Sequence, residues 1–146
     1  MTNGEVFGVY RVGPAVASQD IGLFLLGGKS TYYVKDGGSL LDGFGAVQQA
    51  QSVIVSATPS LITNIHLLRS YCSTTNRGAE VNNAVVTQIT NSQPGNFPQS
   101  PCLGFDGSRS LFGDCLEFIV FETILQNEQR ESLKTYCRYR YDLNSW

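Results

Sequence analysis

The stretch IVFETILQNEQRESLKTY, residues 119–136, decides the fold. Its first residues are β-formers, apolar on both faces of an extended chain. From Gln126 or Asn127 onward the pattern changes to that of an amphipathic helix. Either residue can serve as N-cap, and Asn is the stronger cap by type. Glu128 and Glu131 fall in the first turn, where negative charge suits the helix dipole, and Lys134, Arg138 and Arg140 fall toward the other end. Leu133, Tyr136, Cys137 and Tyr141 make one apolar stripe at helical spacing. Such a stripe needs a surface to cover, and the preceding strands are the simplest source of one.

Working back toward the N-terminus, CLEFIVFE (115–122) reads as a strand. Strict alternation sends Leu116, Phe118 and Val120 one way and Cys115, Glu117, Ile119 and Phe121 the other. Apolar residues on both faces predict a central strand covered on both sides. EVFGVYRV (5–12) is a strand with Val6, Gly8, Tyr10 and Val12 on one face and Phe7, Val9 and Arg11 on the other. Further strands are expected at 21–28, 30–38, 51–57 and 62–70, the last placing Ile62, Asn64, His66 and Leu68 on one face. Asp36-Gly37 is a hairpin signal, and Asn82-Asn83 in EVNNAVVTQI (80–89) tolerates the left-handed backbone of a tight turn. Residues 91–101 hold three of the five prolines and read as a loop. PCLGFDGSRSLFGDCLEFIVFE reads as strand, turn, strand. No repeat or linker divides residues 1–146, so a single domain is expected.

Composition agrees. Charged residues are 15% of the chain, low against an average of about 25%, which suits a sheet protein with Ser, Thr, Asn and Gln outside. A net charge of −2 gives no polyanion-binding surface, so no nucleic-acid partner is expected. No apolar run approaches the roughly 20 residues that cross a bilayer, and MTNGEVFGVY lacks the basic and apolar regions of a secretion signal. Membrane insertion and a leader are therefore not expected. The four cysteines, Cys72, Cys102, Cys115 and Cys137, form no CxxC pair and lie far from the single histidine, His66. Buried thiols are expected rather than a zinc site. A Cys102–Cys115 disulfide across the 102–115 hairpin is the sharper alternative.

The C-terminal residues carry a resemblance. Phe112-Gly113-Asp114, then Leu116-Glu117-Phe118-Ile119-Val120-Phe121, then Leu125-Gln126-Asn127-Glu128-Gln129-Arg130, and finally Tyr136 and Tyr139 resemble the closing signature of laminin-G-like and concanavalin A-like jelly-roll domains of bacterial or phage type. EVNNAVV (80–86) is similar to a hairpin of those domains, with Asn83 where Gly is usual. The good match covers roughly residues 100 to 143. Gln126 stands where that family has Ser or Thr, which shifts the expected cap to Asn127. The chain also begins at a strand those domains reach later, so the resemblance implies a sandwich lacking its usual first strand, or one whose edge another chain supplies.

The resemblance implies an all-β fold, an antiparallel two-sheet jelly-roll sandwich with a short C-terminal α-helix. It names no function. Glycoside hydrolysis needs two carboxylates on one strand face, about 5 to 9 Å apart. Among Asp114, Glu117 and Glu122, alternation turns Glu117 away from the other two. His66 has no nucleophile elbow beside it and reads as a hydrogen-bonded, partly buried residue. No enzyme is expected, and the sequence singles out no catalytic, binding or metal residue. The resemblance implies calcium as a common ligand, for which Asp106, Asp36-Gly37 and Asp42-Gly43 are candidate oxygen sources; each also reads as an ordinary turn, and no cofactor is expected. YCRYRYD (136–142) interleaves bases and aromatics, but reads as a helix end whose tyrosines pack on the sheet. Tyr32, Tyr33 and Phe44 are candidate platforms for a sugar ring.

Two functions are therefore expected from different classes. One is a structural interaction module on a phage virion surface, in a decoration, fibre or tail role, whose partners are copies of itself or other virion proteins. The other is a carbohydrate-binding adhesion module, extracellular or at a cell surface, whose partners are glycans.

Overall fold

A computed structural model describes residues 3–14, 18–27, 29–35, 39–46, 53–55, 62–82, 89–90, 97, 101–105 and 108–143. Among these residues ten strands run in the order β1 (Gly4–Val12), β2 (Ile21–Leu25), β3 (Ser30–Tyr33), β4 (Leu40–Asp42), β5 (Val53–Val55), β6 (His66–Cys72), β7 (Asn76–Val81), β8 (Ile89–Thr90), β9 (Cys102–Leu103) and β10 (Gly113–Phe121). The helix α1 (Asn127–Tyr141) follows. Two antiparallel five-stranded sheets form, one ordered β10-β1-β6-β7-β8 and the other β5-β4-β3-β2-β9. The expected fold class, a jelly-roll sandwich with a C-terminal helix, is what the chain adopts.

Alternation along β1 sorts the core. Val6, Tyr10 and Val12 join Ile21, Leu23, Phe24, Tyr33, Leu40 and Phe44 in the layer between the sheets. Phe7 and Val9 point the other way and join Leu67 beneath Leu125, Cys137 and Leu143 of the helical segment. The helix thus seals the outer face of the first sheet, with Leu133, Tyr141 and Phe121 at the margin of that layer. Tyr136, expected on the same stripe, is instead 41% exposed.

Several expectations are corrected. The strand at 62–70 starts late: residues 62–63 are helical and β6 begins at His66. Its start is pinned by Asn82, which takes the expected left-handed conformation at φ 48°. The Asn82 side-chain oxygen accepts the Leu67 N–H at 2.8 Å, and the Asn82 N–H donates to the Leu67 carbonyl at 2.9 Å. The Asp36-Gly37 signal and Asn83 lie outside the described residues. The N-cap is Gln126, not Asn127. Its own N–H donates to the Gln129 side chain at 3.0 Å, half of a capping box that residue type alone did not favour.

The larger correction concerns β10. Among the described residues it is an edge strand, paired only with β1, and not a central one. Its second apolar row is covered by α1 and not by a neighbouring strand. A β-bulge interrupts its register: Val9 pairs with Glu117 and Tyr10 with Cys115, leaving Leu116 as the extra residue. One extra residue inverts the alternation beyond it. Cys115 therefore packs with Phe118 on the inter-sheet core, against the expected grouping with Ile119 and Phe121.

The disulfide alternative also falls. None of the four cysteines is in a disulfide; Cys72 and Cys137 are buried and Cys102 and Cys115 partly so. Cys102 lies on β9 in one sheet and Cys115 on β10 in the other, so no hairpin pairs them.

Candidate functional site

Described residues of three connections meet at one rim of the sandwich: 18–20 before β2, Lys35 after β3, and 108–112 before β10. Between them lies a cleft of about 490 Å³, lined by Ser18, Gln19, Asp20, Lys35, Ser108, Arg109, Ser110 and Phe112. Asp20 organises it. Its carboxylate accepts the Lys35 backbone N–H at 2.9 Å and pairs with the Arg109 guanidinium at 3.2 Å, so each of the three connections contributes to one cluster. The Arg109 guanidinium also stacks 3.8 Å from the centroid of Tyr32 on β3.

The 104–112 connection is held by backbone bonds. Gly104 N–H donates to Leu23 O at 2.8 Å, Leu111 N–H to Gly104 O at 2.8 Å and Gly22 N–H to Ser110 O at 3.3 Å. Gly22 is required by this close approach, because a Cβ there would stand 2.3 Å from the Arg109 carbonyl oxygen. Phe112 closes the cleft with half of its surface exposed, at 50%. Its carbonyl accepts the Gly13 N–H at 2.6 Å, forming a strap. Beyond the strap is a second hollow of about 490 Å³ among Arg11, Val12, Gly13, Pro14, Thr63, Gly113 and Asp114.

The expected site residues scatter. Tyr33 and Phe44 are fully buried and offer no platform; Tyr32 is partly exposed, with Arg109 over its ring. Asp114 and Glu117 share the outer face of the sheet, because the bulge at Leu116 restores a common side that alternation denied them. They do not converge on a cleft. Asp114 is chelated by Arg11 at 2.5 and 2.9 Å, while Glu117 accepts the hydroxyls of Tyr136 and Tyr141 at 3.2 and 2.8 Å. Glu122 lies past the strand end. Tyr139, expected to pack on the sheet, is 83% exposed.

Asp42 is not placed as a calcium ligand. It is buried between the sheets, accepting from the Thr31 hydroxyl at 2.9 Å. Burial raises its carboxyl to about 6, against opposing hydrogen bonds and the Arg77 charge. Arg77 is itself buried, donating through Nη2 to Gly45 O at 2.8 Å, with Nε and Nη1 unpartnered. Asp36 and Asp106 lie outside the described residues. Among the described residues no three His, Cys, Asp or Glu side chains cluster as metal ligands. His66 is buried more deeply than expected: Tyr33 Oη stands 2.7 Å from Nε2, and Nδ1 stands 3.0 Å from Asn64 O. Since Asn64 O only accepts, Nδ1 carries the proton and Tyr33 donates to Nε2. Burial lowers this imidazole to about 4.

The rim cleft was missed in the sequence. Asp20, Lys35, Arg109 and Phe112 lie in connections that reveal nothing of their convergence. The GFDGSRS turn around Arg109 is the nearest signal, and by residue type it points to Asp106 rather than to Arg109.

No protein-family model and no curated protein sequence matches the chain. Solved structures do, 28 chains in all. Among them are domains LG4-5 of the mouse laminin alpha1 chain, with a TM-score of 0.49 and 12% identity over 81% of this chain and 33% of that one. This chain thus spans about a third of that laminin chain's length.

Proposed function

We propose that the protein is a non-catalytic binding module whose rim cleft takes a saccharide. The observation that carries this reading is the juxtaposition of half-exposed Phe112 with the Asp20–Arg109 pair. A sugar ring presents an apolar C–H face and a polar edge. A site for it combines an aromatic surface with a few fixed polar groups, and Ser18, Gln19, Ser108 and Ser110 supply further donors and acceptors around the cleft. The Asp20 carboxylate is oriented before any ligand arrives, which lowers the ordering cost of binding.

The test is a glycan array followed by titration of any hit. Phe112→Ala is expected to weaken binding about tenfold, the worth of one aromatic contact. Arg109→Ala is expected to weaken it further by freeing Asp20. A glycan that binds with affinity unchanged in both variants, or no response across the array, refutes the reading.

The second reading is a docking and display unit on a virion surface of phage type. The free edge of β10, with Leu116 and Val120 exposed, favours it, because unpaired strand edges join protein chains. On either reading the partner is a saccharide or a protein. The net charge of −2 speaks against a nucleic acid, and among the described residues no helix is long and apolar enough to cross a membrane.

A further inference from the structure

We propose that the ligand of the rim is a saccharide chain and not a single sugar. One ring fills the rim cleft, the chain crosses the strap between Gly13 and Phe112, and a further ring lies in the second hollow. This rests on the saccharide reading of the cleft and adds the length and the path of its ligand.

The two hollows are built from successive stretches of the same two chain segments. Leading out of β1, Gly13 and Pro14 line the second hollow, and Ser18 to Asp20 line the first. Leading into β10, Arg109 and Phe112 line the first, and Gly113 and Asp114 line the second. Phe112 and Gly113 are consecutive, about 3.8 Å apart at Cα, so the hollows adjoin at the strap.

The strap is a low saddle. The Gly13 N–H donates to the Phe112 carbonyl at 2.6 Å. A Cβ on Gly113 would stand 2.1 Å from the Arg11 carbonyl oxygen, and one on Gly13 would stand 3.0 Å from the Phe112 carbonyl oxygen. Glycine at both positions lets the two segments close on each other. It also leaves neither position a side chain to obstruct a ligand that crosses, and Gly113 is exposed.

The second hollow repeats the construction of the first. Its fixed polar group is the Asp114 carboxylate, which accepts from Arg11 Nε at 2.9 Å and Nη2 at 2.5 Å, as Asp20 accepts from Arg109 in the cleft. Its apolar surface is the exposed ring of Pro14, in the place that Phe112 takes in the cleft. Each hollow is about 490 Å³, the size of a small-ligand site. A saccharide chain repeats an apolar face and a polar edge at every ring, so a repeated carboxylate–guanidinium pair beside a repeated apolar surface suits it. The Arg11–Asp114 pair is 57% and 46% exposed and adds little to stability, so its variants fold.

Calorimetric titration of cello-, chito- and xylo-oligosaccharides, and of the strongest glycan on the array cut back ring by ring, reads the outcome. Affinity is expected to rise about tenfold at the length that reaches the second hollow, and to level off beyond it. Arg11→Ala and Asp114→Ala are each expected to erase that rise while leaving the shortest binder within about twofold of wild type. Phe112→Ala is expected to weaken every length. Short members that bind with no gain on lengthening, or with a gain that both second-hollow variants retain, overturn the chain and leave the cleft a site for one sugar. Silence from every glycan at every length overturns the saccharide reading and the chain with it.

Discussion

His66 and Asp42 pull the stability of the protein in opposite directions over the same span of pH. Burial holds His66 neutral, down at about 4 from a usual 6.5. Its contribution is complete above pH 6.5 and is lost as pH falls toward 4, because only the unfolded chain takes up the proton. Asp42 is raised to about 6 from 3.8. Its contribution is complete below pH 3.8 and is lost as pH rises toward 6, because the unfolded chain ionises first. Each shift exceeds two units and is worth about 3 kcal/mol. The two terms should nearly cancel, and removing one should expose the other. Asp42→Asn is expected to gain about 3 kcal/mol between pH 4 and 6.5, and His66→Gln to lose about as much, in urea unfolding at stepped pH. Parallel pH profiles in wild type and both variants would refute this assignment.

At the scale of elements, α1 is docked by charge as well as by its apolar stripe. Glu5 on β1 is fully buried and accepts from Arg69 at 2.5 Å, Arg130 at 3.1 Å and the Leu125 N–H at 2.7 Å. Arg69 also bonds Glu80 on β7, which Lys134 of α1 reaches at 3.2 Å. The network therefore ties three strands to the first half of the helix. Such a network is not by itself a source of net stability, but breaking it strands buried charge. Glu5→Ala leaves two guanidinium groups and one backbone N–H without their acceptor. It is expected to cost about 3 to 5 kcal/mol by chemical denaturation, and to speed amide exchange in α1 before the rest of the sandwich. A loss under about 1 kcal/mol would show that water replaces the carboxylate and that the apolar layer alone holds the helix.

For the whole molecule, the rim cleft and the β10 edge are separate surfaces carried by one rigid sandwich. Among the described residues the only carboxylate lining the cleft, Asp20, is already engaged by Arg109 and the Lys35 amide. Calcium needs six to eight oxygens, mostly from carboxylates and carbonyls. Saccharide binding at the cleft is therefore expected to survive a chelator, with titrations in EDTA and in millimolar calcium agreeing within about twofold. A dependence on calcium would show that a cation takes part in the binding.

The sequence by itself determined the layers. Alternation along Gly4–Val12 assigns Val6 and Tyr10 to one layer and Phe7 and Val9 to the other, and the 3.6-residue spacing of Leu133, Cys137 and Tyr141 calls for a helix on a sheet. Those signals are local, because backbone geometry fixes which side chains share a face. Tertiary structure alone decided that β10 is an edge, that the bulge at Leu116 moves Cys115 inward, that Glu5 meets Arg130 across 125 residues of chain, and that Asp20 meets Arg109. Each depends on which distant segments become neighbours. Pairwise attraction between charges or strand edges carries no periodicity for a linear reading to find, and the closing of one sheet over another sets it.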